Sequence, residues 1–235
     1  MAFAIMLLIE GVDSMKQVDE KFIDELLTNA LNVYHYGSFV YGTFIEGVSD
    51  YDYIVVVPNT MDNLDEQQFE CNNCQYTVHS AKSWQEMLDR CDVDAIESYF
   101  LPEQFIVKET KRFKSDITKE KIRNSFSHVA SNSFVKCKKK LEVAESYNPV
   151  VAKKSLWHSL RIIDFGIQIL EYGKIVDYAS MNHLYGEIVM CEDNWEYFKG
   201  KYKPMYNALK TRFRAYEGIV RNDEKEEERE ERWLR

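Results

Sequence analysis

The chain has 235 residues, of which 45% are hydrophobic and 14% aromatic, with a formal net charge of −9. That is the composition of a soluble globular protein able to bury the cores of two small domains, and no apolar run approaches the roughly 20 residues that span a bilayer, so no membrane partner is expected. The five cysteines (Cys71, Cys74, Cys91, Cys137, Cys191) are odd in number and scattered, which argues against a disulfide framework and for reduced thiols in a cytoplasmic setting.

The apolar opening to Ile9 is short, lacks a basic lead and ends at Glu10, which speaks against a signal peptide; Met15 is an alternative start. Apolar spacing predicts an amphipathic helix over 17–32, then strands over 33–37 and 51–58 separated by a Gly-Ser turn, a short helix and a loop. Pro58-Asn59-Thr60 ends the second strand, and an Asp/Gln-rich loop runs to Gln68. Phe69 to Ser80 reads as a hairpin turning at Asn72-Asn73, so the Cys71-Asn-Asn-Cys74 spacing is turn chemistry rather than half a zinc site; no second CxxC or His pair completes one. Ser80 caps a helix containing Trp84 and Leu88, and a further helix from Asp94 to Phe100 stops at Leu101-Pro102. From about 116 the pattern turns helical, over 117–145, 151–172, about 178–190 and 193–217, with breaks at Asn148-Pro149 and Tyr172-Gly173.

Charge divides the chain as well. Residues 1–100 carry 4 Lys and Arg against 18 Asp and Glu, whereas residues 101–220 carry 21 against 14. An acidic first half and a basic second half suit a cleft whose polyanionic ligand is held from the second domain, and equally an ordinary basic helical surface. The run Lys136 to Lys140 reads as a solvated helix face, because no aromatic residues interleave it. The expected boundaries are 1–115 for the first domain, 116–221 for a helical domain and 222–235 for a mixed-charge tail.

The chemistry concentrates in Tyr36-Gly37-Ser38-Phe39-Val40-Tyr41-Gly42 and Ser49-Asp50-Tyr51-Asp52. Asp50 and Asp52 stand at i and i+2, so on a strand both carboxylates point to one face, where hard oxygen ligands suit Mg²⁺ or Mn²⁺. Gly37-Ser38 falls where a helix begins and unpaired backbone N–H groups favour a phosphate. The plain alternative is a glycine turn followed by acidic residues capping a strand.

In Gly37, Ser38, Gly42, Ser49, Asp50 and Asp52 the chain resembles the nucleotidyltransferase superfamily related to DNA polymerase β. Thr77 and His79, then Glu97, Phe100 and Pro102, Asn132-Ser133, and Lys154, His158 and Arg161 are similar to a group of nucleotidyltransferases of bacteria and large tailed phages. The resemblance implies an α+β fold, with an N-terminal mixed sheet flanked by helices followed by a C-terminal helical domain and a cleft between the two. It implies an enzyme that moves an NMP group from a nucleoside triphosphate to an acceptor hydroxyl, in RNA, protein or a small molecule. Asp50 and Asp52 would be catalytic and hold the metal. Gly37, Ser38, Gly42 and Ser49 would bind nucleotide, with Tyr41 and Ser49 supporting the site.

The superfamily places a third carboxylate on the strand from Gln75 to His79; here that position is Gln75, with Glu70 on the partner strand as a possible substitute. A Gln cannot accept a proton as a carboxylate does. A non-catalytic nucleotide-binding or antitoxin-like interaction module is therefore the rival reading. Lys154, His158 and Arg161 stand at i, i+4 and i+7 and line one helix face. They read either as a phosphate clamp or as a structural network in which Arg161 pairs with Asp164 or Glu97.

Overall fold

The computed structural model describes residues 15–216. The expectations for the opening stretch before Met15 and for the tail at 222–235 lie outside those residues. The chain divides into two compact units, one of residues up to 88 together with 94–115, the other of 89–93 together with 116 onward.

The first unit is built on a six-stranded mixed sheet. Its strands are β1 (Lys16–Gln17), β2 (Asn32–Tyr36), β3 (Tyr51–Val57), β4 (Gln68–Cys71), β5 (Cys74–Ser80) and β6 (Ile106–Glu109), in the order β1-β4-β5-β3-β2-β6. β3 pairs antiparallel with β2 and parallel with β5. Helix α1 (Glu20–Asn29) covers one face, placing Ile23 and Leu26 against Val33, Val55, Val57, Phe69 and Val78. Each fully buried aliphatic side chain of this kind contributes about 1.5–3 kcal/mol. On the other face, Trp84 of α3 (Ala81–Arg90) packs over Tyr34 and the His79 ring, with centroids 6.0 and 5.6 Å away.

The local signals explain most element ends. Asp19 caps α1 by accepting the Phe22 N–H at 2.8 Å, so the helix starts there rather than at 17, and Gln17 belongs to an edge strand. Asn72 and Asn73 both take positive φ (48° and 61°), the backbone of a two-residue hairpin turn, and set Cys71 opposite Cys74 as free thiols. Ser80 caps α3 through the Ser83 N–H. Strand β6 has no counterpart in the sequence reading. Its inward positions are Ile106 and a lysine, Lys108, whose ammonium is satisfied by the Leu27 and Thr28 carbonyls, so no apolar alternation betrays the strand.

The second unit is helical: α5 (Lys119–Glu142), α6 (Pro149–Tyr172), α7 (Asn182–Met190) and α8 (Trp195–Ala215). Helix α6 is its centre, with Leu156, Leu160, Ile162, Ile163 and Phe165 wholly buried. Asn148 caps its start, Pro149 occupies the first turn, and Gly173 ends it in the left-handed conformation at φ 70°. Gly166 marks its tightest crossing: a Cβ there would come within 2.7 Å of the Phe213 ring of α8. Gln168 pins the loop beyond α6 by accepting from the Val176 and Asp177 N–H groups and donating to Asp164.

Candidate active site

The acidic motif lies where β2 ends and β3 and β5 begin. Register places Tyr36 opposite Asp52, Asp52 beside Gln75, Gln75 opposite Glu70, and Glu70 beside Gln17. Cross-strand partners share a face, so these five side chains form one row across five strands. Asp50, two residues before Asp52, joins the row from the loop, and its carboxylate accepts the Gln75 Nε2–H at 3.0 Å. Asp50, Asp52, Gln75 and Glu70 are all half-buried. At a strand spacing of about 4.8 Å, Glu70 stands roughly 10 Å from Asp52 at the Cα level, with Gln75 between them.

The glycine is required by close approach. Gly37 has φ +66°, and a Cβ on it would run into the Asp52 carboxylate. The backbone of the Gly37-Ser38 turn therefore lies directly against the acid. Helix α2 (Gly37–Tyr41) has only five residues and ends at Gly42, in the left-handed conformation at φ 71°. A helix this short carries little macrodipole, so its attraction for a phosphate rests on the N–H groups themselves rather than on a long aligned stack.

Ser49 is placed to hold the loop: its Oγ accepts the Ile45 N–H at 3.0 Å and its carbonyl accepts Asn73 Nδ2–H at 3.0 Å. Tyr41 meets the edge of the Tyr36 ring at 5.9 Å and donates to the wholly buried Glu97 carboxylate at 2.5 Å. The Tyr36 hydroxyl donates to Asp94 at 2.7 Å, so two tyrosines of the motif are fixed by carboxylates of α4 (Val93–Tyr99). Sequence reading named Tyr36 in the motif and Asp94 at a helix start but missed their pairing, for which a Tyr before the glycine is no signal until its partner is known.

The second set, Lys154, His158 and Arg161, stands on α6 in the other unit. Arg161 is fully buried, 2.9 Å from His158 Nδ1 through Nη2 and flanked by the Trp157 and Phe165 rings at 5.6 and 4.7 Å. Asp164 accepts from Gln168 and Ser180. Burial, then the Arg161 guanidinium and Lys136, hold the His158 pKa well below the ordinary imidazole range, so the ring is neutral and accepts from Arg161. Lys136 on α5 is itself half-buried, its pKa lowered by burial and by Lys140. This corrects the reading of the whole Lys136–Lys140 run as a solvated face: Lys138 and Lys139 are exposed, whereas Lys136 joins the His158 set.

Among the described residues no three His, Cys, Asp or Glu side chains cluster as metal ligands, and no helix is long and apolar enough to cross a membrane. Two acids on one face beside an amide and a tight backbone turn nevertheless fit a hard divalent cation shared with phosphate oxygens, since such ions take few protein carboxylates and fill the rest of their shell from substrate. Residues 18–124 match the family model described as a nucleotidyltransferase domain. No curated protein matches the chain.

Proposed function

Residues 18–124 form a nucleotidyltransferase domain of the polymerase β-like superfamily, and from that premise we propose that the protein transfers an NMP group from a nucleoside triphosphate to an acceptor hydroxyl. The acceptor oxygen bonds to the α-phosphorus, the bond to the β-phosphate oxygen breaks, and pyrophosphate leaves. The observation that carries the reading is the row Tyr36–Asp52–Gln75–Glu70 with Asp50 beside it and the Gly37 backbone against Asp52.

Asp50 and Asp52 would hold Mg²⁺ or Mn²⁺, which supplies charge neutralisation on the phosphates. The Gly37 and Ser38 N–H groups and the Ser38 hydroxyl take the outer phosphates, and Gly42 lets the chain turn away after one helical turn. Ser49 keeps the loop that presents Asp50 in place. Within the helical unit, the half-buried Lys154 and Lys136 would offer charge to an anion, while the fully buried Arg161 is held by His158 and serves the fold.

The position beside Asp52 holds an amide. Gln75 orients Asp50 by donating to it and takes no proton, so the acceptor hydroxyl proton passes to Glu70, one strand further along the row, or to solvent. The same Gln75–Asp50 hydrogen bond favours the rival reading, a nucleotide-binding module without turnover. Transfer of label from α-³²P-labelled ATP, GTP, CTP and UTP, with Mg²⁺ or Mn²⁺ and with RNA, cell extract and the protein itself as acceptors, separates them. Label on one acceptor class, lost in Asp52→Asn, supports the transferase. Metal-dependent nucleotide binding without label supports the module, and Gln75→Glu then tests whether a carboxylate restores turnover.

A further inference from the structure

Cys71 ends β4 and Cys74 begins β5, opposed across the Asn72-Asn73 turn. Cross-strand partners share a face, here the one that α1 covers: Cys71 is 8% exposed within that core and Cys74 is half-buried at its border. Among the described residues no third His, Cys, Asp or Glu joins them as a metal ligand. Residues flanking a two-residue hairpin turn stand about 5.5 Å apart at Cα, within the roughly 4.4–6.8 Å that a disulfide bridges. Their Cβ atoms lie about 5 Å apart, whereas a relaxed disulfide holds them at about 4 Å. Closing the bond therefore draws the two strand ends together, and the turn must give. Asn73 in that turn holds the Ser49 carbonyl at 3.0 Å, and Ser49 Oγ holds the Ile45 N–H at 3.0 Å. A deformed turn thus pulls on the loop that leads to Asp50, in which Ile45, Glu46 and Val48 are exposed.

We propose that Cys71 and Cys74 are an oxidative modification site: a small disulfide compound converts them to an intrachain disulfide, and closure loosens the loop that presents Asp50. The more exposed Cys74 thiolate attacks one sulfur of the compound, whose S–S bond breaks and whose first thiol leaves. The Cys71 thiolate then attacks Cys74 Sγ and displaces the second thiol. Two protons pass to solvent and the compound takes up the two electrons. A bond closed against the turn is readily reopened by thiol, so the modification is reversible. Burial, and then Glu20, Asp19 and Asp24, raise the Cys71 pKa; burial also raises that of Cys74, against a hydrogen bond with Tyr76 and with Cys71 and Asp50 adding to the rise. Thiolate is therefore scarce at neutral pH, closure is slow there, and it accelerates as pH rises. The same carboxylates favour a neutral disulfide compound over an anionic one.

The test treats the full chain with neutral hydroxyethyl disulfide at pH 7 and pH 9 and follows it by mass spectrometry and by digestion with a Glu-specific protease. The expected product is two hydrogens lighter, has lost two of its five thiols, yields a Cys71–Cys74 cross-link in the peptide map and forms faster at pH 9. Dithiothreitol should restore the starting chain. Cleavage after Glu46 should be about tenfold faster in the oxidised chain than in the reduced one. Cys74→Ser, treated alike, should carry no cross-link and be cleaved after Glu46 as before treatment. No reaction, an adduct on Cys74 that never closes, or a cross-link through Cys91, Cys137 or Cys191 overturns the site. Closure with unchanged cleavage at Glu46 overturns its link to the Asp50 loop. Both readouts are made without nucleotide, so their failure leaves the transferase reading untouched.

Discussion

At the start of β3 two acids are kept half-exposed against a glycine backbone, whereas on α6 a guanidinium is sunk completely between two rings and a neutral imidazole. The first arrangement keeps two carboxylates half-exposed, with Asp50 held by the Gln75 amide. The second satisfies a cation within the fold before any ligand arrives. Removing a charge from the first should therefore alter chemistry and spare the fold, while removing one from the second should alter the fold first.

The sharpest separation is Asp52→Asn, expected to lower transfer by about 10³-fold or more, about 4 kcal/mol of barrier, with the urea midpoint unchanged; a parallel fall in midpoint would break the comparison. Arg161→Ala empties a fully buried site and takes the donor from His158, so unfolding should cost about 3–5 kcal/mol less, seen as a lower urea midpoint whether or not nucleotide is present. Gly166→Ala, which drives a Cβ into Phe213, should destabilise by about 1–3 kcal/mol, read as a lower melting temperature with nucleotide affinity retained. The smallest effect concerns pH. The His158 pKa is depressed on folding, so the unfolded chain takes up the proton first as pH falls. Stability is complete above the unfolded value near 6.5 and declines below it by up to about 1.4 kcal/mol per pH unit. His158→Gln should flatten that decline in urea titrations at pH 7.5, 6 and 5.

The difference between the two regions also governs what the sequence could disclose. The Gly37 turn and the placing of Asp50 and Asp52 at the start of β3 were legible because they rest on residue types at short spacing, and the hairpin at Asn72-Asn73 because two asparagines accept positive φ. The long helices followed from apolar spacing, and their ends from Asn148, Pro149 and Gly173. What escaped were relations across the chain. Tyr36 with Asp94 is a pair 58 residues apart. β6 hides because a lysine fills an inward position, and Lys136 looks like its solvated neighbours until α6 is laid beside it. The register that aligns Asp52, Gln75 and Glu70 is likewise a property of three strands and of none singly.

The turn at Asn72-Asn73 reaches further than closing a hairpin. Its Asn73 carbonyl accepts the Tyr51 N–H at 3.0 Å, and its amide holds the Ser49 carbonyl, so the segment bearing Asp50 is splinted by residues more than twenty positions away. Opening the hairpin and losing the acids are thus one event. Any ligand gripped by Asp50 and Asp52 must slow that event by mass action, so occupancy of the acids would be read in hydrogen–deuterium exchange as a slowed clock at the Tyr51 amide.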